Sequence, residues 1–526
     1  MTARNRSALA AILLLAALLR LWHLDFGLPA LNDPDEPVFV MTALDMLREG
    51  RLNPGWFGHP ATLLFYLLAL VTLAVGGMGA MLGAWSGADG FVTAVFADPG
   101  LLVLPMRAAM AVLGVASVTM TFAIGRRVAG TRTGLVAAAL LACNPLHVEL
   151  SQLVRTDMLA TLLMGWSLLH ALSIAEHGRT RDHVLAGIAA GLACATKWPA
   201  VLVLVAPLAA VLWRARGDRR ALRLLPVAPL VSVATLLLAS PYLLLDYPTV
   251  LRDLSGEARP NHPGATGFGL IGNLAWYVRV PLLESFGPAL LLAAIGTVRL
   301  WRNRAAAIVL LPTAALLLGA LAAQSLVWTR WMVPLLPIVA ILAALGLDAI
   351  RDRLGRGVAI AALLVAAGWS AGATLLHGAA RADDPRQAAT RWVLAHIPPG
   401  RTILVEHAAF DLLRHRDLLF PLARAGCIDV RTLLKGAPTH RRINATRSGR
   451  AVVDLGNVDP ALLPSCRADV LILSNFARYR QEAARFPAQV AAYRRVTQGY
   501  RRAVVLTAPA IGGSTRSQTV EIFVRR

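Results

Sequence analysis

Asn32-Asp33-Pro34-Asp35-Glu36-Pro37 places three carboxylates between two prolines, directly after the apolar run from Ala8 to Leu24. Charges gathered at the mouth of a membrane segment are costly to hold unless they face water, a cation or a substrate, so the stretch marks a candidate working site. Its plainer reading is a solvated turn in which the prolines only end a helix. The rest of the chain decides between the two.

Outward from this stretch the sequence is that of an integral membrane protein. The 526 residues are 56% hydrophobic and only 16% charged, against roughly a quarter charged in soluble domains. Apolar runs of about 20 residues, long enough to cross a bilayer, recur to about Leu376 and then stop. The formal charge of +22 does not point to nucleic acid, because the arginines are dispersed and not interleaved with aromatics in one patch. They sit in short loops between apolar runs, the pattern that orients membrane proteins. Placing those loops in the cytoplasm gives about 11 crossings: 8–24, 105–125, 131–147, 158–175, 183–196, 198–213, 221–241, 281–299, 305–323, 331–349 and 356–376. The first run lacks a small-residue cleavage site and reads as a retained span. The run from His59 to Leu82 fits poorly in this count and is expected to lie along or dip into the outer side of the membrane, followed by a juxtamembrane helix near 89–98. Residues 1–378 form the membrane domain and 379–526 an extracytoplasmic α/β domain.

With that topology the polar outliers fall on one face. Asp35 and Glu36 follow the first span, His59 opens the next apolar helix, and Asn144-Pro145-Leu146-His147-Val148-Glu149 through Arg155-Thr156-Asp157 joins the third and fourth spans. Lys197 stands at a turn within about thirty apolar residues. The chain has 50 arginines and two lysines, so a lone lysine here is a specific choice. A compact ammonium suits a phosphate oxygen in a tight site, and a snorkelling side chain is the alternative. Asp157 reads equally as a helix N-cap beside Thr156.

The order of these motifs, with Gly191-Leu192-Ala193-Cys194-Ala195-Thr196-Lys197 and the late Thr329-Arg330-Trp331-Met332-Val333-Pro334-Leu335-Leu336-Pro337, resembles the GT-C glycosyltransferases. It looks most like the polyprenyl-phosphate-sugar-dependent enzymes of the protein-mannosyltransferase and aminoarabinose-transferase type, family 39. Asp384-Pro385-Arg386 and Ala468-Asp469-Val470-Leu471-Ile472-Leu473-Ser474 resemble parts of their extracytoplasmic domain. The resemblance implies a polytopic α-helical GT-C fold in the cytoplasmic (inner) membrane and an inverting transfer on its outer face. It implies Asp35 as catalytic carboxylate, Glu36 as its structural or acceptor-binding neighbour, and Asp157 as the second acid. His59 stands where several relatives have a basic residue.

Inverting transfer needs a carboxylate to take the acceptor's proton, and Asp35 is the choice. The leaving phosphate needs fixed positive charge, assigned to Lys197 with Arg330, Arg279 or His59. Magnesium or manganese between Asp35, Glu36 and Asp157 is compatible with hard oxygen ligands, but no sequence feature requires a cofactor. The expected partners are a polyprenyl-phosphate-sugar donor, membrane lipid, and a lipid, glycan or protein acceptor. The outer loop from Leu244 to Val280, with Arg259, Asn261 and His262, reads either as an acceptor-gating loop or as an ordinary connection. Cys427 and Cys466 are candidates for a disulfide, and Cys143 and Cys194 for packing. A non-catalytic lipid-phosphate binder or transporter, and a ligase using a larger lipid-linked glycan, are the alternatives; no internal repeat favours a transporter.

Overall fold

The computed structural model describes residues 1–28, 33, 35–257, 260–406, 418–422, 426–429, 467–507 and 519–526. The first part of the chain folds as helices α1 (Ala3–Leu21), α2 (Glu36–Arg48), α3 (Thr62–Met81), α4 (Gly87–Ala97), α5 (Gly100–Ala129), α6 (Thr131–Ala142), α7 (Pro145–Ser151), α8 (Asp157–His177) and α9 (Thr180–Thr196). Among the described residues seven helices are long and apolar enough to cross a bilayer, and nine if each of two bent pairs counts as one span. The fold is a polytopic helical membrane domain followed by a small sheet domain.

The departures from the expected spans have local causes. α3 is one unbroken 20-residue helix with a mean hydropathy of 2.1, so by length and composition the run expected to dip has the makings of a full span. α6 and α7 meet at a 67° bend, where Asn144 caps α7 by accepting the His147 N–H at 3.0 Å and Pro145 opens it. The expected span 281–299 is broken: Gly269–Phe286 and Ala289–Leu300 meet at 107°. The break falls at Gly287, whose φ of +50° suits glycine, followed by Pro288. The stretch from Leu244 to Val280, expected as an outer loop, is largely helical, as Tyr242–Leu245, Tyr247–Glu257 and Gly269–Tyr277. Leu244, Leu245 and Leu251 are exposed there, which suits a helix lying on lipid better than a free loop.

Small residues and buried polar ties hold the bundle together. Helices Ala289–Leu300 and Leu336–Leu354 touch so closely that a Cβ on Gly296 would lie 1.7 Å from the Leu342 carbonyl oxygen, and one on Gly346 1.9 Å from that of Leu292. Arg20 of α1 is fully buried. Its guanidinium donates to the Ala16 and Ala142 carbonyls at 2.9 and 3.1 Å and contacts His147 Nδ1 at 2.7 Å. His147, unassigned in the sequence, is therefore a strut between α1, α5 and α7, its other nitrogen lying 3.2 Å from the Ser117 hydroxyl. Cys143 and Cys194 are free and buried, as packing residues.

Beyond Arg356–Ala382 comes the helix Pro385–His396, and then strands β1 (Ile403–Val405), β2 (Leu418–Leu422), β3 (Gly426–Asp429), β4 (Val470–Leu473), β5 (Tyr500–Thr507) and β6 (Thr519–Arg525). The sheet order is β3-β2-β1-β4-β6-β5, with β1 parallel to β2 and β4 and the remaining pairs antiparallel. Alternation puts Ile403, Val405, Ile472 and Ile522 on one face with Ala389 and Val393, and Leu404, Leu471, Leu473 and Phe523 on the other with Tyr493. Phe476–Gln481 and Pro487–Thr497 are separate helices, because Pro487 cannot continue a helix but starts one well. Cys466 and the Cys427 side chain lie outside the described residues.

Candidate functional site

Five breaks in the helical fold deliver charged side chains to one place. Asp33 and Asp35 precede α2, where Asp33 Oδ1 caps the helix by accepting the N–H groups of Asp35 and Glu36 at 3.0 and 3.2 Å. Arg155 lies in the loop between α7 and α8, and Asp157 is the first residue of α8. Thr156 holds the cap position without a side-chain bond, so the acid sits in the favourable first turn and keeps its oxygens for other partners. Lys197 ends α9 in an extended conformation, because Pro199 two residues on cannot supply the N–H that a continuing helix needs. Arg330 sits on the 3₁₀ turn Thr329–Leu335 that the proline-rich motif forms. His59 lies just before α3, and the Ala61 N–H donates to the Thr196 carbonyl at 3.2 Å, tying that entry to Lys197.

The side chains form a connected charge cluster. Lys197 Nζ donates to Asp157 Oδ1 at 2.5 Å, with both nearly shielded from solvent. Arg155 donates to both oxygens of Asp33, at 2.8 and 2.7 Å, and also to Asp35. Arg330 approaches Asp35 at 3.2 Å while its guanidinium stacks 4.7 Å from the Trp328 ring. Asp35 is the most open acid of the set, its side chain 33% exposed. Burial alone would raise the Asp35 carboxyl, but the guanidinium groups of Arg155 and Arg330 reverse this and hold it well below the usual carboxylate range. Burial, with Lys197 and Arg330 nearby, pushes the His59 imidazole down to about 4, so His59 is neutral near pH 7 and carries no fixed charge.

Other expected site residues lie elsewhere. Glu36 is fully buried facing Arg107: the guanidinium donates to its two oxygens at 2.9 and 2.6 Å, and the Val154 N–H donates to Oε1 at 3.0 Å. It braces the α2 entry against the loop carrying Arg155 and has no oxygen free for substrate or metal. Arg279 is exposed on a π-helical turn. Arg259 lies outside the described residues. His262 packs edge-on against Trp328, ring centroids 5.0 Å apart, so the segment carrying His262 reaches Asp35 through a chain of His262, Trp328 and Arg330. Asn261 lines a cavity of about 680 Å³ with Thr266, Gln324, Ser325 and Arg485. This cavity lies where the membrane domain meets the sheet domain, joined by Gly264 N–H to Glu482 at 2.7 Å and Arg478 to the Pro263 carbonyl at 3.0 Å.

Sequence reasoning passed over Arg107 and Arg155, although both carried a signal. Arg107 interrupts an apolar run, where a charge implies a partner, and Arg155 stands two residues before an acid already singled out. The expected metal set does not fit. Glu36 is held by Arg107, Asp157 by Lys197 and Asp35 by two arginines, and among the described residues no three His, Cys, Asp or Glu side chains are grouped to hold an ion. No step is derived through a metal.

Fold and site together define a multi-pass membrane protein with an acid and its cations at the head of a helical bundle. It has an ArnT-like GT-C fold. ArnT from Cupriavidus metallidurans in the apo state matches with a TM-score of 0.57 at 15% identity, covering 98% of both chains. The same protein bound to undecaprenyl phosphate matches at 0.54 and 15%, covering 99% of this chain and 98% of that one. The Archaeoglobus fulgidus oligosaccharyltransferase in the apo form matches at 0.51 and 14%, covering 95% and 73%. At these identities the likeness is one of fold. Residues 80–244 match the family model described as dolichyl-phosphate-mannose-protein mannosyltransferase. That stretch includes Arg107, Arg155, Asp157 and Lys197, whereas Asp35 and His59 precede it. A sequence comparison with curated proteins finds no match.

Proposed function

We propose that the chain is an inverting glycosyltransferase that moves a sugar from a polyprenyl-phosphate-linked donor to a hydroxyl or phosphate of a lipid, glycan or protein acceptor, on the outer face of the cytoplasmic membrane. The observation that carries this reading is the meeting of Asp35, Asp157, Lys197 and Arg330 in one GT-C cluster, from positions spread over 296 residues of sequence. Asp35, the most accessible acid, takes the acceptor's proton as its oxygen attacks the anomeric carbon. The donor's C–O bond to phosphate breaks on the opposite side, and the electron pair leaves on the phosphate. That oxygen needs positive charge and no proton, which Lys197 and Arg330 provide. Asp157 holds Lys197 in place, and neutral His59 adds a hydrogen bond. Asn261 and His262, with the cavity beside Arg485, offer the acceptor a polar landing between the two domains. The polyprenyl tail stays among the spans, which explains an embedded active site.

The direct test incubates the purified full-length protein in nanodiscs with labelled polyprenyl-phosphate sugars and follows release of polyprenyl phosphate by mass spectrometry. Asp35→Asn is expected to lower turnover by roughly 10²–10⁴-fold with the protein folded. Normal turnover in that variant would refute the assignment of the base.

A further inference from the structure

Arg155 is held at one end and loose at the other. Its Nη2 is fixed by both oxygens of Asp33, and Asp33 is itself fixed by the backbone N–H groups of Asp35 and Glu36. Its Nη1 rests on Asp35. Its Nε–H, in a side chain only 8% exposed, is buried and has no hydrogen-bond partner among the described residues. A buried guanidinium donor left idle costs free energy that a ligand acceptor would recover. Asp35, meanwhile, is engaged by Arg155 and Arg330 at once, and a carboxylate whose lone pairs are occupied by two guanidinium groups is a poor proton acceptor.

We propose that Asp35 and the donor phosphate compete for Arg155: a phosphate oxygen takes Nη1 in place of Asp35 while Asp33 retains Nη2, so Asp35 is released as a base only once the donor is seated. This rests on reading the cluster as a lipid-phosphate-sugar site. It makes Arg155 a positioning residue, Asp33 its anchor, and donor binding the step that precedes acceptor activation. The geometry explains why the acidic stretch carries Asp33 as well as Asp35: a cation that must change partners without leaving the site needs a second, permanent one. Arg330, with its guanidinium over Trp328, is free to follow the same exchange at its own Asp35 contact.

The test measures equilibrium binding of undecaprenyl phosphate to the full-length protein in nanodiscs. Asp35→Asn, nearly isosteric at a partly exposed position, is expected to tighten binding by about tenfold, because the competitor for a charge-assisted bond has gone. Arg155→Gln weakens binding by about tenfold, and in that background Asp35→Asn gains less than about twofold. Asp33→Asn, which frees the anchor, weakens binding in the same direction, and Arg155→Lys, keeping charge but losing the fork, restores only part of the affinity. If Asp35→Asn leaves affinity unchanged or lowers it while Lys197→Ala still weakens binding, the phosphate site stands and the competition is refuted. If the unaltered protein does not bind and Lys197→Ala changes nothing, the donor reading fails and the competition fails with it.

Discussion

Glu36 and Arg107 offer the sharpest separation of scaffold from chemistry. Both side chains are fully buried, the guanidinium donates to both carboxylate oxygens, and its Nη1 also holds the carbonyls of Leu24 and Phe26 at 2.7 and 2.8 Å. Glu36→Gln or Arg107→Met alone strands one buried charge, at about 3–5 kcal/mol. The double variant removes both charges and leaves mainly two carbonyls without a donor, at about 1 kcal/mol each. It should therefore be more stable than either single variant, a coupling of at least about 2 kcal/mol. Membrane proteins of this size commonly unfold irreversibly, so the assay is the apparent melting midpoint at one heating rate in one detergent. Both singles should melt well below the unaltered protein, with the double between. Single losses that simply add in the double variant would refute the paired-scaffold reasoning. So would a Glu36→Gln protein that melts normally yet transfers no sugar, which would return Glu36 to the substrate.

The remaining expectations are narrower. Gly346→Ala places a methyl group against the Leu292 carbonyl and should cost about 1–3 kcal/mol or more, seen as a lower melting midpoint; an unchanged midpoint would show that the two helices can part freely. Asn144→Ala removes the cap of α7 and should cost roughly 0.5–2 kcal/mol, with loss of melting midpoint but not of the donor-binding site. His59 has a folded-state pKa of about 4 against 6.5 when unfolded, so its contribution to stability is complete above about 6.5 and is lost as the pH falls toward 4, a difference of roughly 3 kcal/mol. His59→Gln should therefore flatten the acid side of the melting-midpoint profile over that window, and an unchanged slope would show that His59 is not held neutral by the fold.

Much of this molecule is legible in the order of residues, because the bilayer imposes a one-dimensional rule: apolar length reports helices, and any charge among them needs a reason. Lys197, Asp157 and Asp35 stood out on that rule and Arg330 through the resemblance of its proline-rich motif, and they meet. The turn at Lys197 is likewise a break that sequence and structure share. Partner choice is different, since it depends on which helix faces arrive together. Asp35 and Glu36 are neighbours with the same chemistry, yet the first turn of α2 aims one at the cluster and the other at Arg107, 71 residues away. Arg155 and Arg279 look equally available as text; one is clamped between two aspartates and the other is exposed on a distorted turn. The sequence by itself singled out the acids and cations that interrupt apolar runs, because a charge beside hydrocarbon needs a partner. Only the tertiary structure decided which acid is locked and which is accessible, because a buried charge is defined by its nearest opposite charge, and that contact is made by packing between distant segments.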